Sequence, residues 1–396
     1  MKIDRTSRSV SLDPRDPDFF NDPYPAYREL RATVPVFKWE QYGHWCFTRH
    51  ADVAALLRDR RFGRQMPHVM PRETPQHLKP FYDVERHSLL ETEPPVHTRL
   101  RGLINRAFLS RAVERLRPRI ARLAHELIDG FAGKRETDLL ESFATPIPVT
   151  VITELLGVPC GLGPRLLGWS HDMVAMYQAR RDETIERKAA GAAAAFGDFM
   201  RAYVRERRSS PGDDLLSHLI AAEMQDEALS EDELVTTAIL LLNAGHEATV
   251  HAIANGVKAL LQADRASPGL AEGHVEELLR FDAPLHLFTR YALEDVDHGG
   301  LRLRQGEMVG LLLGAANRDP DRFAEPDRFD PERAPNPHVS FGAGIHFCLG
   351  APLARLELGV ALPILFERLP GLRLAEAPHY RDSYHFHGLV RLRVSW

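Results

Sequence analysis

A cysteine loop near the C-terminus constrains the fold of this 396-residue chain more than any other feature. Residues 341–350 read Phe-Gly-Ala-Gly-Ile-His-Phe-Cys-Leu-Gly, and an apolar pattern with helical spacing follows them. Gly342, Gly344 and Gly350 have no Cβ, so the backbone there can take positive φ and pass close to a planar group. The N-terminus of the following helix favours a thiolate at Cys348, because its dipole is positive at that end. The loop therefore predicts a cysteine thiolate that contacts a flat cofactor.

This loop resembles the haem-ligand loop of the cytochrome P450 family, the haem-thiolate monooxygenases. All six fixed positions of the pattern Phe-Gly-x-Gly-x-His-x-Cys-x-Gly match. The resemblance implies that Cys348 is the metal ligand of haem b (iron protoporphyrin IX), and that Phe341, Gly342 and His346 are cofactor-binding residues. The alternative is an inert, buried cysteine in a tight turn, which is the usual state of an isolated cysteine.

The composition is that of a globular protein with a large core, since 44% of the residues are hydrophobic and 27% are charged. The formal net charge of −5 argues against a nucleic-acid partner. Cys46, Cys160 and Cys348 are too widely spaced to suggest a disulfide framework or a zinc site, so a reducing compartment fits best. Residues 1–8 contain no apolar segment. We therefore expect a cytoplasmic protein without a membrane anchor.

The patterns along the chain predict mainly α structure with small β-sheets. A first helix is predicted over 23–33 and short strands over 34–38 and 44–48, while residues 62–95, rich in Pro and His, read as a long loop. The longest helix is predicted to begin at Ser230, where Glu233 completes a capping box.

The overall pattern resembles the cytochrome P450 fold, with a large helical domain plus a smaller β-rich region. We expect a single domain over residues 1–396. Its β-rich part is predicted mainly over 30–62 and 282–312 plus the C-terminal strands, and its helical part mainly over 93–281 and 349–369. Pro363 lies inside the helical pattern after Cys348 and predicts a kink or an early end.

Fixed cations and hydrogen-bond donors are needed for the two propionates of haem. His97 and Arg101 are four residues apart at the start of a predicted helix and share a face. The resemblance implies propionate contacts for both, and also for Arg290 and His346. Without the cysteine loop, His97 would be interpreted as an ordinary surface histidine.

A short motif, Glu277-x-x-Arg280, places two opposite charges on one helix face. The resemblance implies that this pair locks with Arg328 to hold the core around the cysteine loop. Three solvated charges are the alternative.

Polar residues interrupt the longest helix at 243–249, and a glycine there costs about 1 kcal/mol relative to alanine. Both features indicate that something approaches the backbone. Ala244, Gly245 and Glu247 match the oxygen-binding stretch of the family.

Ala248 departs from that stretch, because the family has a threonine there whose hydroxyl helps to deliver protons during oxygen activation. Thr249 is rotated by about 100° around the helix and is not a simple substitute. The resemblance thus assigns Gly245, Glu247, Ala248 and Thr249 to the catalytic region, with protons supplied through water or substrate.

A run of arginines lies at the start of the predicted helical part, and it is interpreted either as a solvated face or as a docking surface for an acidic electron carrier. Its members are Arg99, Arg101, Arg106, Arg111 and Arg115. The chain contains no flavin- or ferredoxin-like segment, so the resemblance implies electrons from NAD(P)H through ferredoxin and ferredoxin reductase.

The implied reaction inserts one atom of O2 into a C–H or C=C bond of a medium-sized, mostly apolar small molecule, and a monomer is expected. The pocket is expected to include three histidines, His286, His385 and His387. Its predicted lining segments are the 62–95 loop, residues 165–190, Leu241 to Ala248, Leu285 to Phe288, and Phe386 to Leu389. Two alternatives stay open: a peroxide-driven or non-oxygenating haem-thiolate enzyme, and a non-catalytic haem sensor.

Overall fold

The computed structural model describes residues 1–67, 73–107, 113–177, 181–223, 229–265, 269–270 and 272–396. Its α-helices are α1 (Pro17–Asn21), α2 (Tyr24–Thr33), α3 (His50–Leu56), α4 (Lys79–Glu85), α5 (Val96–Ala107), α6 (Arg117–Phe131), α7 (Pro146–Leu155), α8 (Gly163–Val174), α9 (Glu183–Ser209), α10 (Leu215–Glu223), α11 (Glu231–Gln262), α12 (Glu272–Phe281), α13 (Leu313–Ala316) and α14 (Ala351–Arg368). Its strands are β1 (Lys2–Asp4), β2 (Ser9–Ser11), β3 (Val36–Trp39), β4 (His44–Phe47), β5 (Phe62–Gly63), β6 (Glu136–Asp138), β7 (Leu287–Ala292), β8 (Val296–His298), β9 (Leu301–Leu303), β10 (Met308–Leu312), β11 (Arg373–Leu374) and β12 (Arg393–Ser395).

The chain divides into two compact units. The first, here the sheet unit, comprises Met1–Met70, Arg117–Thr145 and Ala248–Trp396, and the second, the helical unit, comprises Pro71–Leu116 and Pro146–Glu247. Every described strand lies in the sheet unit, and the regular elements described in the helical unit are helices. The prediction of mainly α structure with small sheets is confirmed, whereas the single domain stays a prediction.

The main sheet of the sheet unit has seven strands in the order β1-β2-β3-β4-β10-β7-β5. Strand β10 is central, parallel to β4 and antiparallel to β7. Its residues Val309, Leu311 and Leu312 are fully buried, as expected for a strand that is covered on both faces. Smaller sheets form from β11-β12-β6 and from β8-β9.

Amphipathic patterns explain the long helices. Helix α6 buries Ile120, Leu123 and Ile128 on one face, at the spacing of helical turns. Helix α11 begins with the predicted capping box: the backbone N–H of Glu233 donates to Ser230 Oγ at 3.2 Å, and that of Ser230 donates to Glu233 Oε2 at 2.9 Å. The predicted start of this helix is confirmed.

Two details of the sequence prediction are wrong, and a third is wrong in part. Strands β1 and β2 extend the β-rich part to the N-terminus, because their short, mixed sequences acquire strand structure only through pairing with distant residues. The 62–95 segment contains β5, a 3₁₀ turn at Gln76–Leu78 and α4; its residues 68–72 lie outside the described part. Helix α14 continues past Pro363 to Arg368, so the helix does not end early there, and a kink stays a prediction; Leu365 and Phe366 after the proline are buried and offset its cost of about 3 kcal/mol.

Candidate functional site

The cysteine loop is anchored at its start by one buried asparagine at the end of α13. The amide of Asn317 donates to Ser340 Oγ at 2.7 Å and accepts from the backbone N–H of Val339 at 2.8 Å. The hydroxyl of Ser340 in turn donates to the carbonyl of Leu279 in α12 at 2.7 Å. These buried hydrogen bonds fix where the loop leaves the core.

Two glycines in the loop have positive φ, +68° at Gly342 and +73° at Gly344. A Cβ on Gly344 would lie 2.4 Å from the carbonyl oxygen of Leu57, so no other residue fits there. The backbone N–H of Cys348 donates to the carbonyl of Phe341 at 2.9 Å and closes the loop. The glycines predicted from sequence to shape this loop do so.

The structure separates the cysteines by exposure. Cys348 is exposed at the end of the loop, three residues before α14 begins at Ala351. Cys46 is fully buried in β4, where burial raises the pKa of its thiol well above the usual value. The side chain of Cys160 lies outside the described residues. Cys348 is therefore the described cysteine that can offer a thiolate to a ligand.

A buried charge cluster connects α12 to the segment that precedes the loop. Glu277 and Arg280, both fully buried, form a bidentate ion pair at 2.7 Å for each bond. Arg280 also donates to the carbonyl of Asn317 at 2.8 Å, the residue that anchors the cysteine loop. The Glu277–Arg280 pair thus acts as part of the structural support of that loop.

The third member of this cluster is Arg333, so the assignment of Arg328 is wrong. Arg333 Nε lies 3.3 Å from Glu277 and its side chain is nearly buried. The guanidinium of Arg328 is 60% exposed and pairs with Glu325 and Asp330; only its backbone carbonyl accepts a hydrogen bond from Arg280. Arg328 and Arg333 are only five residues apart in sequence, so spacing alone could not distinguish them.

A second ion pair supports the loop from α14. Arg355 forms a bidentate pair with Glu276 at 2.5 and 2.8 Å, and it lies 4.6 Å from the ring centroid of Phe341. His338 also contacts Glu276, at 3.1 Å. Burial alone would raise the pKa of the Glu276 carboxyl, but the hydrogen bonds from Arg355 and His338 lower it to about 2. Phe341 is thus held against a cation whose position is fixed.

Strand β7 places a buried arginine beside the loop. A Cβ on Gly342 would lie 3.2 Å from the ring of Phe288 in β7, and Arg290 is two residues further along, on the same face of the strand. Arg290 is 3% exposed, and its guanidinium donates to the carbonyl of Thr289 at 2.9 Å. His346 lies in a 3₁₀ turn inside the loop and is partly buried. The sheet unit therefore contains Cys348, Arg290 and His346 in neighbouring elements.

The other two predicted propionate residues lie in the helical unit, at the start of α5. His97 is 2% exposed, which rules out an ordinary surface histidine, and Arg101 is partly buried. Arg99, between them, forms an ion pair with Glu233. Of the arginine run, Arg115 is exposed, and the side chains of Arg106 and Arg111 lie outside the described residues. Because Arg99 already pairs with a carboxylate, an electron carrier would have to displace that pair to use it.

The glycine in the middle of α11 has a packing role. A Cβ on Gly245 would lie 2.7 Å from Cγ1 of Ile152 in α7, so the group that approaches this backbone is another helix. Ala244 is exposed and Ala248 is partly buried on one face of α11, one turn apart. Thr249 is only 6% exposed. Thr249 is therefore more buried than Ala248, which agrees with the rotation of about 100° between successive residues of a helix.

Two histidines that were not assigned a role from sequence surround Glu247. His171 Nε2 in α8 lies 3.2 Å from Glu247 Oε2, and His246 Nε2 lies 3.6 Å from the same oxygen. Glu247 is 8% and His246 4% exposed, whereas the side chain of His171 is 50% exposed. His171 is more than seventy residues away in sequence from Glu247, so no local pattern could have found it.

Two of the three histidines expected in the pocket belong to a buried polar network. His286 is fully buried, with Nδ1 2.8 Å from the hydroxyl of Tyr27, and His387 is 3% exposed and lies 3.4 Å from Asp282. Burial lowers the pKa of both imidazoles, so they are neutral at physiological pH. Their place in the pocket stays a prediction. Burial and the charge of Arg64 lower the pKa of the third, His385, to about 4.

Haem fits the donor set of the sheet unit. Thiolate is an established haem ligand, and Cys348 offers an exposed sulfur on a loop whose glycines allow close approach. Arg290 supplies a buried cation that suits a carboxylate such as a propionate. Among the described residues, no helix is long and apolar enough to cross a membrane.

Comparison with known proteins agrees with this geometry. Residues 64–264 and 256–370 match the family model described as cytochrome P450. The chain is similar to the mycinamicin IV hydroxylase/epoxidase of Micromonospora griseorubida, with 43% identity over 93% of this chain and 94% of the relative. It is also similar to the vitamin D(3) 25-hydroxylase of Pseudonocardia autotrophica, with 40% identity over 95% of this chain and 94% of the relative.

Among solved structures, P450BioI in complex with acyl carrier protein carrying hexadec-9Z-enoic acid has a TM-score of 0.90 and 36% identity. The match covers 96% of this chain and 99% of that one. Together with the family model, these similarities confirm the predicted fold and the predicted class of enzyme. The chain belongs to the cytochrome P450 family and is a monooxygenase of that family.

Proposed function

We propose that this protein inserts one atom of O2 into a C–H or C=C bond of a medium-sized, mostly apolar small molecule, with electrons from NAD(P)H delivered by a ferredoxin and its reductase. The observation that carries the proposal is the exposed Cys348 at the end of a glycine loop braced from α12, α13 and α14. When bound, thiolate-ligated haem supplies the activation of dioxygen.

The residues of the chain position and tune that cofactor. Cys348 binds the iron, and Arg290 and His346 bind the propionates through charge-assisted hydrogen bonds. By resemblance to the family, His97 and Arg101 are also proposed to contact the propionates. On α5, His97 is buried and Arg101 is partly buried. Glu247 is the residue that moves protons in the oxygen-binding stretch, as a carboxylate can both accept and release them.

The proposed substrate class rests on the family and on the side chains of the predicted lining segments. Relatives of this chain are named as a mycinamicin IV hydroxylase/epoxidase, a vitamin D(3) 25-hydroxylase and a polyketide biosynthesis cytochrome P450. Segments Leu285 to Phe288 and Phe386 to Leu389 are joined by a β-bridge between Leu285 and Phe386. Their apolar side chains support an apolar substrate with a single polar group.

An isotope experiment tests the proposed reaction. The holoenzyme is supplied with NADH, a ferredoxin, its reductase and a substrate identified by a shift of the Soret band, under ¹⁸O₂. We expect one ¹⁸O atom in each product molecule, and the yield should fall to background without ferredoxin. A non-catalytic haem sensor would give no product, and product without ¹⁸O would contradict the monooxygenase reaction.

One observation favours a second candidate, a peroxide-driven oxygenation. Ala248 provides no hydroxyl on the exposed side of α11, and Thr249 beside it is buried. Hydrogen peroxide brings its own protons and electrons, so it would avoid the step for which this chain lacks the usual hydroxyl. Under ¹⁸O-labelled peroxide without NADH, a rate above that of the NADH-driven reaction would favour this candidate.

A further inference from the structure

The cluster around Glu247 in the helical unit has the donor set of a metal site. His171, His246 and Glu247 each offer one ligand atom, and these atoms lie within 4.8 Å of one another. Two imidazoles and one carboxylate are a common ligand set for zinc, which is held at about 2.0–2.2 Å by such atoms in tetrahedral geometry. That geometry needs ligand atoms about 3.3–3.6 Å apart. The distances to Glu247 Oε2 are 3.2 Å from His171 Nε2 and 3.6 Å from His246 Nε2. Both agree with this ligand spacing within about 0.2 Å.

The hydrogen bond of His246 orients its ring for metal binding. Nδ1 of His246 lies 2.6 Å from the carbonyl oxygen of Leu242, which can only accept, so Nδ1 carries the hydrogen. In the neutral imidazole, Nε2 then has a lone pair on the side of Glu247. A nitrogen lone pair and a carboxylate oxygen repel each other unless a proton or a metal cation lies between them. A backbone carbonyl behind a metal-bound histidine is also the usual outer support of zinc ligands.

The three residues differ in exposure in a way that gives an ion access. His246 and Glu247 are at least nine-tenths buried on α11, whereas the side chain of His171 on α8 is half exposed. His171 can therefore turn to solvent, receive an ion and carry it onto the two buried ligands. A fourth position is left for water.

Among the described residues, a second histidine–carboxylate cluster consists of Asp282, His286 and His387. This cluster is a poorer candidate for a metal site. Lys258 lies 2.7 Å from Asp282 and already supplies the positive charge. The hydroxyls of Tyr24 and Tyr380 donate to the same carboxylate at 2.8 and 2.5 Å. A metal ion would have to displace the lysine and both hydrogen bonds.

We propose that His171, His246 and Glu247 form a binding site for a borderline divalent cation, Zn²⁺ being the best match. Mg²⁺ and Ca²⁺ are disfavoured because they select oxygen ligands. Zinc bound there would occupy Glu247 and withdraw it from proton transfer. This consequence rests on the proposed function, whereas the site itself does not.

Equilibrium dialysis of the holoenzyme against about 10 μM zinc chloride with excess Mg²⁺, followed by elemental analysis, tests the site. We expect the wild-type protein to hold one zinc more than the His171→Ala and Glu247→Gln variants. His171→Cys should retain that zinc, since a thiolate is an equally good ligand. His218→Ala is the matched control, because His218 is an exposed histidine of the same unit, 3.4 Å from Asp213 but outside the cluster.

Equal zinc content in the wild type and His171→Ala would overturn the proposal, and so would loss of the extra zinc in His218→Ala. Turnover is then measured on the same samples. If zinc binds with the expected stoichiometry but does not slow turnover of the wild-type enzyme, the metal site stands and the proposed role of Glu247 in proton transfer fails. Failure of the metal site can therefore be distinguished from failure of the proposed role of Glu247.

Discussion

At the scale of single residues, the chain departs from its family at Ala248. Glu247, which lies beside it, is retained and is held between two histidines, at 3.2 and 3.6 Å. An alanine cannot pass on a proton, so the proposed proton route uses Glu247 together with water or a polar group of the substrate. The sequence predicted this deficit and contains His246 next to Glu247, but only the packing of α8 beside α11 identifies His171 as the second histidine.

Glu247→Gln should slow the NADH-driven reaction by about 10²-fold or more, because an amide cannot replace an acid in proton transfer. Stopped-flow measurement of oxygen activation, together with the ratio of product to NADH consumed, checks this. Thr249→Ala is the matched comparison and should change this ratio little, since Thr249 is buried. If Ala248→Thr raises the ratio of product to NADH consumed equally for every substrate, the proposal that the substrate assists proton transfer is wrong.

At the scale of secondary-structure elements, prediction succeeded where the signal is local. The capping box at Ser230 located the start of α11. It failed where the outcome depends on distant partners, as in the pairing of β1 and β2 with the main sheet or the passage of α14 through Pro363. The partner of Glu277 also depends on distant residues, which explains why the sequence pointed to Arg328 and the structure shows Arg333.

The ion pair that connects α12 and α14 gives a pH-dependent stability. The pKa of Glu276 is lowered to about 2 in the folded protein, so its contribution is present above its ordinary value near 4.5 and is lost as pH falls toward 2. Glu276→Gln should lower the free energy of unfolding at pH 7 by about 2 kcal/mol, after allowance for its partial exposure.

Urea titrations of both proteins between pH 7 and pH 3 measure this contribution. The difference in unfolding free energy between wild type and Glu276→Gln should shrink below about pH 4.5. A constant difference across this range would contradict the ion-pair explanation. Glu325→Gln is the control, because Glu325 pairs with Arg328 at the exposed surface.

At the scale of the whole molecule, a chain of contacts in the sheet unit leads from the buried pair of α12 to the cysteine loop. Glu277 binds Arg280, Arg280 donates to Asn317, and Asn317 holds Val339 and Ser340. Removing one partner of a buried ion pair costs about 3–5 kcal/mol, because the other charge is left buried without compensation, so the unit is sensitive to substitutions in this cluster. The sequence predicted the Glu–Arg motif, but only the fold identifies what it supports.

Arg333→Ala and Arg328→Ala compare the two candidate third members directly. Loss of Arg333 removes a nearly buried partner of Glu277 and should lower the unfolding free energy by about 1–3 kcal/mol, with weaker haem retention. Arg328→Ala should change the unfolding free energy by less than about 0.5 kcal/mol, because that side chain is 60% exposed. Urea denaturation and haem transfer to apomyoglobin measure both effects. A larger loss in Arg328→Ala than in Arg333→Ala would reverse the assignment.

The central claim is that Cys348 is the thiolate ligand, and the carbon monoxide difference spectrum of the reduced holoenzyme tests it most directly. Cys46→Ser is the control, since this cysteine is buried in β4 and its thiol pKa is raised by burial. We expect the thiolate-type Soret band in the wild type and in Cys46→Ser, and its loss in Cys348→Ala and Cys348→Ser. Persistence of that band in Cys348→Ala would contradict the account.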